Sequence, residues 1–155
     1  MGSLKVGDIA PDFEVQRDGG GTISLAEFRD RLVVLYFYPK DDTTGCTAEA
    51  VAFTNLLPQF IAAGAVVIGV SPDTAARHDK FMKKHDLGII LASDETTDVA
   101  QAYGVWKEKS MYGRTFMGIE RSTFLIGTDG RIRAHWPKVK VAGHAENVLQ
   151  AVTGS

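Results

Sequence analysis

The chain has 155 residues, 45% of them hydrophobic, and its formal net charge at pH 7 is −2. This length suffices for one well-packed core, so we expect a single domain over residues 1–155. The small charge and the scattered basic residues offer no surface for nucleic acid, and no stretch reaches the roughly 20 apolar residues that cross a bilayer.

The first half of the sequence alternates between predicted strands and helices. The strands are indicated by β-branched and aromatic runs, and their ends by glycine, proline and polar turn residues. In order, the predicted elements are a hairpin from residues 12–15 and 22–25, a helical turn at 25–28, a strand at 32–38, a helix at 45–63 and a strand at 65–71.

The second half continues the alternation and ends in a clear hairpin. Its predicted elements are a polar helix at 74–85, a strand at 89–91, a short helix at 98–103, a hairpin from 123–126 and 131–136, and a helix at 143–151. A β-α-β unit followed by a hairpin and a helix is typical of an α/β, thioredoxin-like fold. We therefore expect a mixed central sheet with helices on both faces and an N-terminal β-hairpin extension.

Cys46 is the only cysteine, and it lies where a predicted strand meets a predicted helix. Thr43 and Gly45 supply helix-start chemistry, so Cys46 should lie in the first turn, where free N–H groups and the helix dipole favour an ionised sulfur. A thiol with the ordinary pKa of about 8.5 would gain only roughly 30-fold in reactive thiolate by full ionisation at pH 7. Any larger acceleration must come from groups that stabilise the transition state.

The same position also fits an inert core cysteine. Free cysteine is among the most buried residue types, and Cys46 shares a helical stripe with Ala50, Phe53 and Leu57. The helix alone leaves both interpretations open. A single cysteine also excludes an intrachain disulfide, and the N-terminus lacks an apolar signal core, so we expect a cytoplasmic protein.

The loop before Cys46 resembles the signature of peroxiredoxins. Pro39, Thr43 and Cys46 match Pro-x-x-x-Thr-x-x-Cys, and residues 38–49 are similar to the bacterioferritin-comigratory, or Q, type. The similarity extends over nearly the whole chain, through residues 6–13, 104–106, 118–126 and 129–130.

This resemblance implies a thiol-dependent peroxidase in which Cys46 is the nucleophile and Thr43, Pro39 and Arg121 form its pocket. Attack on one peroxide oxygen drives negative charge onto the other, so the site needs fixed donors. Thr43 can donate through its hydroxyl and Arg121 through its planar guanidinium, while Pro39 shields the pocket. Without the resemblance, Arg121 would be interpreted as a surface charge at the start of a strand.

Three further residues are candidates for substrate binding. The backbone N–H of Gly45 is an additional donor, and Glu49 either orients Arg121 by a charge-assisted bond or only complements the helix dipole. Trp106 either lines the mouth of the pocket or only packs against its neighbours.

Other titratable residues receive no catalytic role. Asp41 and Asp42 would oppose ionisation of the nearby thiol, so we expect both to point to solvent. The four histidines show no metal-ligand spacing, and no metal or other cofactor is expected.

Val51 stands five residues after Cys46, where many Q-type relatives carry a resolving cysteine. The resemblance therefore implies a one-cysteine enzyme for hydrogen peroxide and organic hydroperoxides. Its sulfenic acid would be reduced by an external thiol, for which glutathione, glutaredoxin and thioredoxin are the candidates, and the protein would be a monomer or weak homodimer. The alternative is a redox-responsive interaction protein on the same fold, in which slow oxidation of Cys46 changes partner binding.

Overall fold

The computed structural model describes residues 4–154, which form nine strands, four α-helices and one 3₁₀ turn at Leu25–Phe28. The strands are β1 (Glu14–Arg17), β2 (Thr22–Ser24), β3 (Leu32–Phe37), β4 (Ala65–Ser71), β5 (Ile90–Ser93), β6 (Trp106–Met111), β7 (Arg114–Ile119), β8 (Ser122–Ile126) and β9 (Ile132–Trp136). The helices are α1 (Thr44–Ala62), α2 (Ala75–His85), α3 (Asp98–Ala102) and α4 (His144–Thr153).

Seven strands form one mixed sheet in the order β2-β1-β5-β4-β3-β8-β9. The central pairs β3–β4 and β4–β5 are parallel, whereas β8 pairs with β3 in antiparallel fashion. The N-terminal hairpin extends this sheet, because β1 pairs with β2 on one side and with β5 on the other. The predicted mixed sheet and N-terminal hairpin are therefore confirmed.

Successive side chains of β3 point to opposite faces of the sheet, and each face is covered by helices. Val33, Leu35 and Phe37 pack with α3 and the 3₁₀ turn in one cluster, here named the α3-side core. Val34 and Tyr36 pack with α1, α2 and α4 in a second cluster, the α1-side core. Burial on both faces explains why the sequence of β3 is an uninterrupted apolar and aromatic run.

Residues 106–119 form a separate two-stranded ribbon that the sequence did not predict. Strands β6 and β7 pair only with each other among the described residues, from Trp106↔Ile119 to Met111↔Arg114. Most of their side chains are exposed, and Tyr112 at the turn is 96% exposed. Because neither strand buries one face, the apolar alternation that marks a strand is absent from this part of the sequence.

Every predicted element is present, and its boundaries differ from the observed ones by at most two residues. Over residues 4–154, no helix combines the length and apolar character of a membrane span. The interpretation of residues 1–155 as a single domain stays a prediction.

Candidate active site

Cys46 lies in the first turn of α1, as the sequence predicts. Thr43 occupies the N-cap position with extended backbone angles, and the helix begins at Thr44. Cys46 is 1% exposed and belongs to the α1-side core together with Ala50 and Phe53. Burial alone would fit an inert cysteine, so the groups around its sulfur decide its character.

Arg121 supplies the group that distinguishes this sulfur from a core thiol. Its Nη2 donates to Sγ of Cys46 at 3.3 Å, and its Nη1 donates to Oε1 of Glu49 at 2.7 Å. The Arg121 side chain is only 18% exposed, and that of Glu49 is 1% exposed. The guanidinium is therefore fixed between two buried groups rather than being a free surface charge.

The sheet and a glycine together make this approach possible. Arg121 directly precedes β8, and β8 pairs with β3 so that Ser122 is opposite Phe37 at the end of β3 from which the loop to α1 departs. Gly45 faces the guanidinium, because a Cβ at this position would lie 3.3 Å from Nη2 of Arg121. A glycine in the first helical turn thus leaves room for the arginine.

Burial and charge oppose each other in this site. Burial raises the pKa of Glu49 to about 7, although the adjacent Arg121 favours the charged carboxylate. Burial disfavours the charge of Arg121, but Glu49 and Cys46 outweigh it, so the pKa of Arg121 is raised. Within the described part of the chain, Glu49 Oε2 and the hydroxyl of Tyr36 have no hydrogen-bond partner. The site therefore holds polar groups that its own side chains do not satisfy.

Comparison with known proteins agrees with this geometry. A model of the AhpC/TSA family matches residues 6–135. The chain belongs to this family. It is 45% identical over 150 residues to Peroxiredoxin Bcp of Bacillus subtilis (strain 168), covering 97% of this chain and 96% of that one. It is 39% identical over 149 residues to Peroxiredoxin Bcp of Escherichia coli (strain K12), covering 96% of each.

Solved structures of peroxiredoxin Q proteins share the fold. A cysteine-to-serine mutant of Xylella fastidiosa PrxQ aligns with a TM-score of 0.94 at 40% identity and covers 99% of this chain and 98% of its own. The Xanthomonas campestris bacterioferritin comigratory protein, studied for alkyl peroxide reduction, aligns with a TM-score of 0.90 at 42% identity, covering 97% and 96%. The predicted thioredoxin-like fold and the resemblance to Q-type peroxiredoxins are confirmed, and the chain is a thiol-dependent peroxiredoxin.

The other predicted site residues of this peroxiredoxin, Pro39, Thr43 and Trp106, differ in how the structure relates them to Cys46. Pro39 is half-buried in the loop between β3 and α1. Thr43 donates its hydroxyl proton to the carbonyl of Lys40 at 3.0 Å, so it must rotate before it can donate toward a peroxide. Trp106 packs against the α3-side core, whereas Cys46 belongs to the α1-side core, so packing is the role that the structure supports for Trp106.

The expectation that Asp41 points to solvent is wrong, although Asp42 is exposed as predicted. Asp41 is 4% exposed and contacts the hydroxyl of Tyr38 and the imidazole of His78. No local pattern indicates this contact, because Asp41 and His78 are 37 residues apart. The available signal was topological: parallel β3 and β4 bring the segments after their carboxyl ends together.

Proposed function

We propose that this peroxiredoxin reduces hydrogen peroxide and organic hydroperoxides through a sulfenic acid on Cys46, which an external thiol then resolves. The observation that carries the proposal is the 3.3 Å contact between Nη2 of Arg121 and Sγ of Cys46 in a buried site. The alkyl peroxide reduction studied in the Xanthomonas campestris relative supports the same substrate class.

In the first step, the Cys46 thiolate attacks one peroxide oxygen and the O–O bond breaks. The sulfur loses two electrons and becomes a sulfenic acid, and the departing oxygen accepts a proton to leave as water or an alcohol. Arg121 is aligned to stabilise the charge that moves from sulfur to the leaving oxygen, since its guanidinium already contacts the sulfur. Glu49 holds the guanidinium in this orientation through the 2.7 Å bond to Nη1.

Backbone donors complement the guanidinium. The N–H groups of Gly45 and Cys46 belong to the first turn of α1, where no intrahelical acceptor is available to them. Rotation of the Thr43 hydroxyl away from the Lys40 carbonyl would add a further donor on the exposed side of the site. Pro39 carries no N–H and serves to restrict the loop and limit water access.

Reduction of the sulfenic acid requires a second molecule, because the sequence contains one cysteine. An external thiol condenses with the sulfenic acid, releasing water and forming a mixed disulfide, and a further thiol attacks that disulfide to restore Cys46. Glutathione, glutaredoxin and thioredoxin all fit this chemistry. The monomeric or weakly dimeric state and the cytoplasmic location stay predictions, testable by sedimentation and by cell fractionation.

Stopped-flow measurement of peroxide consumption by the reduced protein tests the proposal. We expect rapid, stoichiometric oxidation of one thiol, turnover on addition of an external thiol, and loss of both in Cys46→Ser. Intact-mass measurement should show one added oxygen before the thiol is supplied. Oxidation at the rate of a free thiol would contradict the proposal and favour the redox-responsive interaction protein instead.

A further inference from the structure

A second buried polar cluster lies beside the loop that precedes Cys46. It consists of Tyr38, Asp41, Asp73 and His78 and is named here the His78 cluster. Asp41 Oδ1 accepts from the Tyr38 hydroxyl at 2.6 Å, and Asp41 Oδ2 lies 2.7 Å from Nδ1 of His78. The other ring nitrogen of His78 lies 3.0 Å from the carbonyl oxygen of Ala92 in β5. His78 is 0% exposed.

These contacts favour the doubly protonated form of His78. A carboxylate and a carbonyl are both acceptors, and only the imidazolium form carries a proton on each ring nitrogen. Burial alone would lower the pKa of His78, but the bonds to Asp41 and Ala92 and the nearby charge of Asp73 raise it above its ordinary value. The geometry therefore favours a buried ion pair between His78 and Asp41, whose two carboxylate oxygens both face protein groups.

The cluster is bonded to the active-site loop through backbone as well as side chain. Asp41 lies between Pro39 and Thr43, and its backbone N–H donates to Oδ2 of Asp73 at 2.7 Å. Asp73 is fixed in turn by the hydroxyl of Ser71 at 2.7 Å and by Nε of Arg77 at 3.1 Å. The loop is thus anchored to the end of β4 and the start of α2.

Asp41, Asp73 and His78 have the side-chain types of metal ligands, and one potential ligand atom from each lies within 4.8 Å of the other two. The hydrogen bonds favour an ion pair over a metal site, because a metal-bound histidine needs a free lone pair on nitrogen. Both nitrogens of His78 face oxygen acceptors, which favours a proton on each nitrogen and leaves no lone pair for a metal.

We propose that His78 is a positioning residue for the peroxidatic cysteine. Its charged hydrogen bond to Asp41 holds the loop at residues 39–43 so that Cys46 enters α1 at the distance from Arg121 that the reaction needs. This inference rests on the proposed function. A displacement of about 1 Å in a reacting geometry costs up to about 100-fold in rate, so the loop anchor has a large effect on peroxide reduction.

The rates of alkylation and of oxidation of the Cys46 sulfur separate an effect on positioning from an effect on the fraction of thiolate. Alkylation of Cys46 by iodoacetamide needs only the thiolate, whereas oxidation by peroxide also needs the aligned donors. We expect the ratio of the oxidation rate to the alkylation rate to fall at least ~10-fold in His78→Asn. His85→Asn is the matched control, because His85 is also on α2 and also contacts a loop aspartate, Asp42, but on the exposed side.

The pH dependence of this ratio distinguishes positioning from a merely structural role. The imidazolium exists at low pH and is lost as the pH rises through the raised pKa of His78. The ratio should therefore decline over that range in the wild-type protein, and His78→Asn should lack this decline. The carboxylates facing His78 are Asp41 and Asp73. Glu49 also titrates near pH 7 but is present in both proteins, so their difference isolates His78.

A milder variant and a direct probe guard against loss of folding in His78→Asn. Tyr38→Phe keeps the ring and removes only the donor to Asp41, and we expect a smaller fall in the ratio, about threefold. Nitrogen-15 NMR should show both ring nitrogens of His78 protonated at pH 6. A neutral imidazole at pH 6, or an unchanged ratio in both variants while the wild type reacts rapidly, would overturn the inference. A wild-type protein that reacts only like a free thiol would instead refute the proposed function.

Discussion

The Cys46 site and the His78 cluster are both buried and charged, yet they differ in how completely their polar atoms are bonded. In the His78 cluster, both carboxylate oxygens of Asp41 and both ring nitrogens of His78 have partners. In the Cys46 site, Glu49 Oε2 and the Tyr36 hydroxyl lack partners among the described residues. A fully bonded network rigidifies the loop, whereas buried groups without partners, such as these, cost stability.

Removal of Arg121 from the Cys46 site should have the largest effect on the rate of peroxide oxidation. We expect Arg121→Ala to slow peroxide oxidation of Cys46 by about 100- to 1,000-fold, the usual cost of losing a transition-state donor. Alkylation by iodoacetamide should change much less, since it does not require the guanidinium at a leaving oxygen. Stopped-flow oxidation and alkylation rates measured side by side check this prediction.

Arg121→Lys and Arg114→Ala are the comparisons for that experiment. A lysine retains the charge but lacks the planar fork through which Nη1 bonds Glu49 and Nη2 bonds Cys46, so it should restore only part of the rate. Arg114 lies on the exposed β7 strand, and its replacement should leave both rates unchanged. An equal fall of oxidation and alkylation in Arg121→Ala would assign Arg121 to thiolate stabilisation rather than to the transition state.

The incomplete bonding of Glu49 should appear as a pH dependence of stability. Burial raises the pKa of Glu49 from 4.5 to about 7, so the folded state holds a proton that the unfolded state releases. The stability that this bound proton contributes is fully present below pH 4.5 and is lost as the pH rises through about 7. At 1.36 kcal/mol per pKa unit, the loss is at most about 3 kcal/mol. Glu49→Gln should remove this part of the decline in the free energy of unfolding.

Urea denaturation between pH 4 and pH 8 measures the effect, with Glu108→Gln on the exposed β6 strand as the control. The charged pair of His78 also weakens as the pH rises, because its pKa is raised, so some decline should persist in Glu49→Gln. A profile of Glu49→Gln that coincides with the wild type would show that Glu49 has the same pKa in the folded and unfolded states, which would contradict the expected conflict between burial and charge.

Gly45→Ala should slow peroxide oxidation without lowering stability, and by less than Arg121→Ala does. The glycine is helical, so alanine should stabilise the protein by up to about 1 kcal/mol. Its Cβ would lie 3.3 Å from Nη2 of Arg121 and displace the guanidinium by a few tenths of an ångström. We expect an unchanged or higher melting temperature with peroxide oxidation slowed about threefold to tenfold. The exposed neighbour Thr44→Ala is the control, and an undiminished rate in Gly45→Ala would show that the arginine has more freedom than the packing indicates.

The parts that sequence could predict are those with a local physical signature. Buried runs such as 32–38 and 65–71 identify the central strands, and helix-start chemistry at Thr43 and Gly45 places Cys46 in the first turn. The pairing of Arg121 with Cys46 came from the family motif, because no local pattern relates residues 75 positions apart.

The parts that sequence missed depend on tertiary context. Asp41 and Asp42 are adjacent, yet one is buried against His78 and the other is paired with Lys84 at the surface. Asp42 has a left-handed backbone with a φ of 63°, which turns the chain between them. Two neighbouring aspartates in a polar loop carry no sequence signal for such a division.

Trp106→Phe provides the smallest expected effect and tests where the site ends. Trp106 is half-buried against the α3-side core and opposite Ile119 in the β6–β7 ribbon, and so lies in neither of the two polar clusters. We expect peroxide oxidation within about twofold of wild type and a loss of about 1 kcal/mol in the free energy of unfolding from reduced packing. Measuring the oxidation rate with hydrogen peroxide and with a bulky organic hydroperoxide sharpens the comparison. If Trp106→Phe slows oxidation only by the bulky hydroperoxide, the site extends to the base of the ribbon and Trp106 regains its binding role. If the variant matches the wild type with both peroxides, the chemistry is confined to Cys46, Glu49, Arg121 and the loop that the His78 cluster anchors.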